Sequence, residues 1–196
     1  MNKIVGIIWD FGGVITESPF EAFNRFETKN NFPLNFIRSV NAKNPTTNAW
    51  AQLESSRIDL DEFDRLFFQE TKTAGYAISG KDVIPLLSGA VRMKMVRLLA
   101  YLKGTYKQLC LTNNMKVGRG VSMYDSVHSA NGVEFAMGLF DDVVESSEEG
   151  LRKPDQRIYE LACERLGILP SNVAYLDDLG INLKPARKMG MTTIKV

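Results

Sequence analysis

The stretch that most narrows what this chain can become is residues 4–16, IVGIIWDFGGVIT. Its apolar run, Ile4 to Trp9, shows no polar alternation, the pattern of a parallel-sheet strand covered by helices on both faces. The run ends on Asp10. Gly12 and Gly13 follow, and glycine readily adopts the backbone angles of a tight turn leaving a strand. In open α/β sheets ligands bind beyond the strand ends. A carboxylate delivered there is placed to act as a nucleophile or a metal ligand, although a lone Asp after a strand is more often a turn former.

The remainder of the chain supplies the context. Residues 17–86 read as helices, with phenylalanines three or four positions apart (Phe20 and Phe23, Phe63 and Phe67), the spacing of one helical face. Asp59 followed by Glu62 has the form of a variant capping box. With Pro85 and Gly89 marking the return, this segment reads as a small all-helical cap inserted after the first strand, its aromatics forming its own core. From there helices and strands alternate. Ala90–Lys103 reads as a helix with Met95, Leu98, Leu99 and Leu102 on its apolar face and Arg92, Lys94 and Arg97 on its solvated one. Strands are expected at 108–112, 141–145, 173–176 and 192–196, with helices at 156–166 and about 183–189. Such alternation implies a parallel sheet with right-handed crossovers. The expected fold class is therefore α/β, a Rossmann-like three-layer sandwich with a central parallel sheet, its core built from residues 1–16 and 87–196 and its cap from 17–86. Residues 114–138 show no clear period.

Composition excludes several partners. A chain of 196 residues with 44% hydrophobic and 24% charged residues and a formal charge of +1 has no electrostatic commitment to nucleic acid or an acidic membrane. No apolar run approaches a membrane span, and the opening MNKIVGII leads into a strand without a signal-peptide pattern. The expected location is cytoplasmic. Cys110 and Cys163, both in apolar settings, suit a reducing compartment and make no disulfide framework.

Polar residues stand at or just past four expected strands: Asp10, then Thr112 and Asn113, then Lys153, then Asp177 and Asp178. A parallel sheet brings those ends to one edge. Three crowded carboxylates repel unless a cation neutralises them, and an all-oxygen donor set suits Mg²⁺. A carboxylate nucleophile, a hard cation and an anion cradle are what phosphoryl transfer through an aspartyl-phosphate requires.

In order and context, WDFGGVIT, CLTNN, GLRKPDQRIYE and YLDDLGINLKPARKMGM resemble the four motifs of the haloacid dehalogenase-like superfamily. The likeness is strongest to the phosphatase domain at the N-terminus of soluble epoxide hydrolase and its bacterial relatives. The resemblance implies that Asp10 is the nucleophile and that the Thr112 hydroxyl and the Asn113 N–H hold the phosphate. It further implies that Lys153 neutralises charge between nucleophile and substrate, and that Asp10, the Gly12 carbonyl and Asp178 bind Mg²⁺ with Asp177 in support. The implied activity is a Mg²⁺-dependent phosphatase acting on a small phosphorylated substrate. One departure matters. Phosphatases of this superfamily usually carry a second aspartate, the general acid and base, where this chain has Gly12. A catalytically weak phosphate-binding or regulatory protein and a metal-independent dehalogenase are the alternatives, the paired Asp177 and Asp178 arguing against the latter. Glu17 or Glu21 is a candidate substitute acid, Lys116 and Arg119 candidates for a second anionic group, and His128, the only histidine, a loop or surface residue.

Overall fold

A computed structural model describes residues 3–114 and 127–196, with side chains from 132 onward in the second stretch. Five parallel strands, β1 (Gly6–Trp9), β2 (Lys107–Thr112), β3 (Asp142–Glu145), β4 (Val173–Asp177) and β5 (Thr192–Lys195), form one sheet in the order β3-β2-β1-β4-β5. The chain builds outward from β1 through β2 to β3, then returns past β1 to lay down β4 and β5. The direction of winding thus reverses between β1 and β4, and in open α/β sheets ligands bind beyond the carboxyl ends of the strands at such a reversal.

The continuous apolar runs are explained by cover on both faces. Ile8, Leu109, Leu111 and Tyr175 pack against Ile158, Ala162 and Leu166 of α9 (Gln156–Leu166), which follows the short α8 (Ser146–Glu149), and against Leu183 and Ala186 of α10 (Gly180–Lys188). Ile7, Trp9, Cys110 and Leu176 face Val96 and Leu99 of α6 (Met93–Leu102) and Ala136 of α7 (Val127–Met137). The result is the expected Rossmann-like α/β sandwich of helix, sheet and helix layers. Only the edge strand β5 is largely exposed.

Between β1 and α6 the chain is helical: α1 (Pro19–Lys29), α2 (Phe36–Asn41), α3 (Ala49–Glu54), α4 (Leu60–Thr73), α5 (Gly80–Val83) and a 3₁₀ turn, Ile84–Leu87. These helices share an apolar cluster of their own, including Phe23, Ile37, Trp50, Phe63, Phe67 and Ile78. Trp50 meets Phe63 edge to face at 5.5 Å and Phe63 stacks on Phe67 at 5.3 Å. Glu27, fully buried, is held by accepting the N–H groups of Asn35 and Ile37 at the start of α2; such N–H groups have no partner within the helix.

Several local expectations differ from the structure. The helix expected from Ala90 begins at Met93, because Val91 bridges to Thr16 and the Arg92 N–H donates to Ile15, pinning the return of the chain beside the exit from β1. Val96 rather than Leu98 faces the core. Arg92 is not merely solvated: its guanidinium donates to the Gly13 carbonyl at 2.8 Å. The capping box at Asp59 is one-sided. Asp59 accepts from the Glu62 N–H, but the Glu62 carboxylate turns to Arg65. Helix α10 starts three residues before Leu183, tolerating Pro185, whose missing N–H forfeits a single helical bond. No helix among the described residues is long and apolar enough to cross a membrane.

Candidate active site

The site forms where β1 and β4 end. Asp10 follows Trp9 directly, and its N–H donates to the Leu176 carbonyl at 2.8 Å, so the sheet still grips the backbone at Asp10. The side chain folds back to accept the Phe11 N–H at 2.7 Å on Oδ1. The same oxygen meets Lys153 Nζ at 2.7 Å, and Lys153 Nζ also reaches Asp177 Oδ2 at 3.0 Å. Lys153 is 1% exposed and Asp177 fully buried, so this amine bridges two carboxylates out of water. Asp178 completes the set: ligand-capable atoms of Asp10, Asp177 and Asp178 all lie within 4.8 Å of one another.

The three acids differ in what the protein does with them. Both oxygens of Asp177 are engaged, by Lys153, the Tyr175 hydroxyl, the Asn182 amide and the Leu179 N–H. Tyr175 packs edge to face on Tyr159, whose hydroxyl donates to the Asn182 carbonyl at 2.8 Å, closing a buried network under the site. Asp178 accepts the Ser18 hydroxyl at 3.2 Å on Oδ2. Asp10 and Asp178 are less occupied than Asp177, and Asp10 Oδ2 has no hydrogen bond or ion pair among the described residues. Gly13 makes their closeness possible. At φ +79° a side chain there would be strained, and a Cβ would lie 2.3 Å from Asp178 Oδ2. Gly12 is different, with open space for 4 Å around its Cβ position.

Charge follows the same geometry. Burial pushes the Asp10 carboxyl up to about 8; Lys153 opposes this, while Asp177 and Asp178 add to it. Burial and Asp177 likewise raise Asp178. Burial alone would lower Lys153, but Asp10 and Asp177 hold it above its ordinary value. Burial alone would raise Asp177, yet Lys153 and its hydrogen bonds keep it below the usual carboxylate range. Three acids against one lysine leave an excess of two negative charges when all are ionised. A hard divalent cation fits that deficit and the all-oxygen donor set.

Thr112 closes β2, buried, its hydroxyl without a partner among the described residues. The Asn113 side chain clamps the Lys153 main chain, accepting its N–H at 2.9 Å and donating to its carbonyl at 3.1 Å. Glu21 points to Arg25 in an exposed pair, and Glu17 is exposed. Lys116, Arg119 and the side chain of His128 lie outside the described residues. Sequence reasoning missed Ser18, Glu54 and Arg152, and gave Tyr175 and Asn182 no role. Arg152, Tyr175 and Asn182 stand within the quoted motifs and were open to notice. Nothing in the pattern of the helical segment singles out Glu54.

Comparison with known proteins agrees with the geometry. A family model described as haloacid dehalogenase-like hydrolase matches residues 4–190. Mouse (Mus musculus) acyl-CoA dehydrogenase family member 10 is 32% identical over 199 residues, 97% of this chain and 18% of its own length. Pig (Sus scrofa) bifunctional epoxide hydrolase 2 is 34% identical over 124 residues, 61% of this chain and 20% of its own. The chain thus spans about a fifth of the length of these curated relatives. A HAD family enzyme from Bacteroides thetaiotaomicron, solved with magnesium and inorganic phosphate, is similar in fold at a TM-score of 0.63 and 21% identity, covering 98% of this chain and 93% of that one. L-2-haloacid dehalogenase from Xanthobacter autotrophicus, with chloropropionic acid covalently bound, gives a TM-score of 0.65 at 16% identity over 98% of this chain and 77% of that one. With the family model covering almost the whole chain and the acids gathered at the strand ends, this protein belongs to the haloacid dehalogenase-like hydrolases.

Proposed function

We propose that the chain is a Mg²⁺-dependent phosphatase that hydrolyses a small phosphorylated metabolite through an aspartyl-phosphate on Asp10. The observation that carries this reading is the meeting of Asp10, Asp177 and Asp178 within 4.8 Å around a buried lysine. Asp10, Asp178 and the Gly12 carbonyl would hold Mg²⁺, which supplies charge neutralisation for the carboxylates and the phosphoryl group. An Asp10 carboxylate oxygen bonds to phosphorus as the bond from phosphorus to the leaving oxygen breaks. Lys153 offsets the charge building between the nucleophile and the phosphoryl oxygens, and the Thr112 hydroxyl and Asn113 N–H hold those oxygens. Water then attacks phosphorus, freeing Asp10 and inorganic phosphate. With Gly12 offering no proton, the substrates served best are those whose leaving groups need little protonation, such as sugar 1-phosphates or acyl phosphates. Neither nucleic acid nor a membrane is a partner in this reading, and the working compartment is the cytoplasm.

The reading draws support from the solved relative that holds magnesium and inorganic phosphate and from the epoxide hydrolase similarity. Phosphate release from sugar, nucleotide and lipid phosphates, with and without Mg²⁺, tests it. Release from at least one ester, abolished by a chelator and by Asp10→Asn, is the expected result. Micromolar ester binding without release would make the chain a binding protein. Chloride release from a 2-haloacid, indifferent to a chelator, would make it a dehalogenase.

A further inference from the structure

Between α3 and the loop carrying Lys153 runs a polar seam that phosphoryl transfer alone does not call for. Glu54, the last residue of α3, is buried. One of its oxygens accepts from Trp50 Nε1 at 3.0 Å; the other meets Arg152 at 2.5 Å from Nη2 and 2.8 Å from Nε. Arg152 Nη1 donates to the Pro45 carbonyl at 2.7 Å, so one guanidinium grips the helical segment at two points. Asn113 Nδ2 lies 3.5 Å from the same Glu54 oxygen. Alongside, the Ser146 hydroxyl donates to the Glu54 carbonyl and the Ser56 hydroxyl to the Ser147 carbonyl.

Burying a carboxylate against a partly buried guanidinium is costly, and their attraction repays it only when the geometry is good. Burial pushes the Glu54 carboxyl up and Arg152 draws it back. Docking α3 on this loop requires no such pair, since apolar side chains serve as well or better. What sets this pair apart is its place in the chain. Arg152 directly precedes Lys153, whose N–H and carbonyl are both clamped by the Asn113 side chain. A displacement at Arg152 is therefore passed to the backbone that carries the amine between Asp10 and Asp177.

We propose that Glu54 and Arg152 are positioning residues, a polar latch through which the helical segment holds Asn113 and Lys153 in place, so that docking of α3 completes the site. The latch rests on the phosphatase reading only for the chemistry it serves, and its own readout is hydrogen exchange at the Lys153 amide in the full chain. Glu54→Gln keeps the shape of the carboxylate; Arg152→Lys keeps the charge but not the paired donors. Each is expected to speed exchange at that amide about tenfold and to weaken inorganic phosphate binding in Mg²⁺ by a similar factor. The double variant is expected to go no further than either single, because both remove the same contact. Arg65→Gln, which breaks only the exposed pair with Glu62, serves as the control and leaves the Lys153 amide unchanged.

Unchanged exchange in folded Glu54→Gln and Arg152→Lys would overturn the latch, as would additive effects in the double variant. Should Glu54→Gln fail to fold, Arg152→Lys carries the test alone. If exchange couples as described while no ester is ever hydrolysed, the latch stands and the phosphatase reading falls. If esters are hydrolysed with kcat and KM unaltered in Glu54→Gln despite faster exchange, the pair holds structure together and positions nothing.

Discussion

Two adjacent glycines do opposite things at this site, and each makes a prediction. Gly13 is required by space. Its positive φ and the Asp178 carboxylate where a Cβ would stand mean that Gly13→Ala must either displace Asp178 or move the turn. The left-handed backbone alone costs about 1–2 kcal/mol for a residue with a Cβ. The expected outcome is a lower melting temperature together with weaker Mg²⁺ binding by calorimetry; Mg²⁺ affinity equal to that of the unaltered chain would show that Asp178 is no ligand. Gly12 is not required by space, since nothing stands within 4 Å of its Cβ. Gly12→Asp should fold normally and, by restoring a positioned acid and base, raise turnover of alkyl phosphates by roughly 10²- to 10⁴-fold. A well-folded variant with no gain on alkyl phosphates would mean that proton transfer does not limit this enzyme.

At the scale of elements, what the sequence made legible is what depends on local pattern. The residues of β1 and its neighbours read as buried because an unbroken apolar run fits only a strand covered on both faces, and Asp10, Lys153 and Asp178 read as one site because parallel strands share an edge. Helix ends were less legible. Arg92 looked like part of a helix until the antiparallel bridge from Thr16 to Val91 claimed the residues before it, a long-range contact that no local window contains. Glu54 was illegible for the same reason: its partner is 98 residues away. The helical segment has its own apolar cluster, and Phe67 is fully buried within it, stacked on Phe63. Phe67→Ala should cost about 3–5 kcal/mol. If residues 17–86 are a cap with an independent core, hydrogen exchange should accelerate across α1 to α5 while the amides of β1, β2 and β4 keep their protection. Equal loss of protection in the sheet would show one cooperative unit instead.

Across the whole molecule, folding gathers charges that would repel, and it does so at the point where the sheet reverses its winding. Asp177 is neutralised from within by Lys153 and hydrogen-bonded by Tyr175 and Asn182, whereas Asp10 and Asp178 are held together with Asp10 Oδ2 unpartnered among the described residues, and burial leaves Asp10 reluctant to ionise. The native state thus stores an unfavourable arrangement that the unfolded chain, with its acids apart in water, does not. A ligand that relieves it binds the folded form alone and must stabilise the protein by mass action. At a hundredfold excess over its dissociation constant such a ligand contributes about 2.7 kcal/mol, which for a chain of this size raises the melting temperature by roughly 5–10 °C. Thermal scans with Mg²⁺ and inorganic phosphate should show that rise in the unaltered chain and lose it in Asp178→Asn, whereas Na⁺ at equal ionic strength should do nothing comparable. A melting temperature indifferent to Mg²⁺ at millimolar concentration, with phosphate present, would mean that the three acids are gathered for some purpose other than holding a cation.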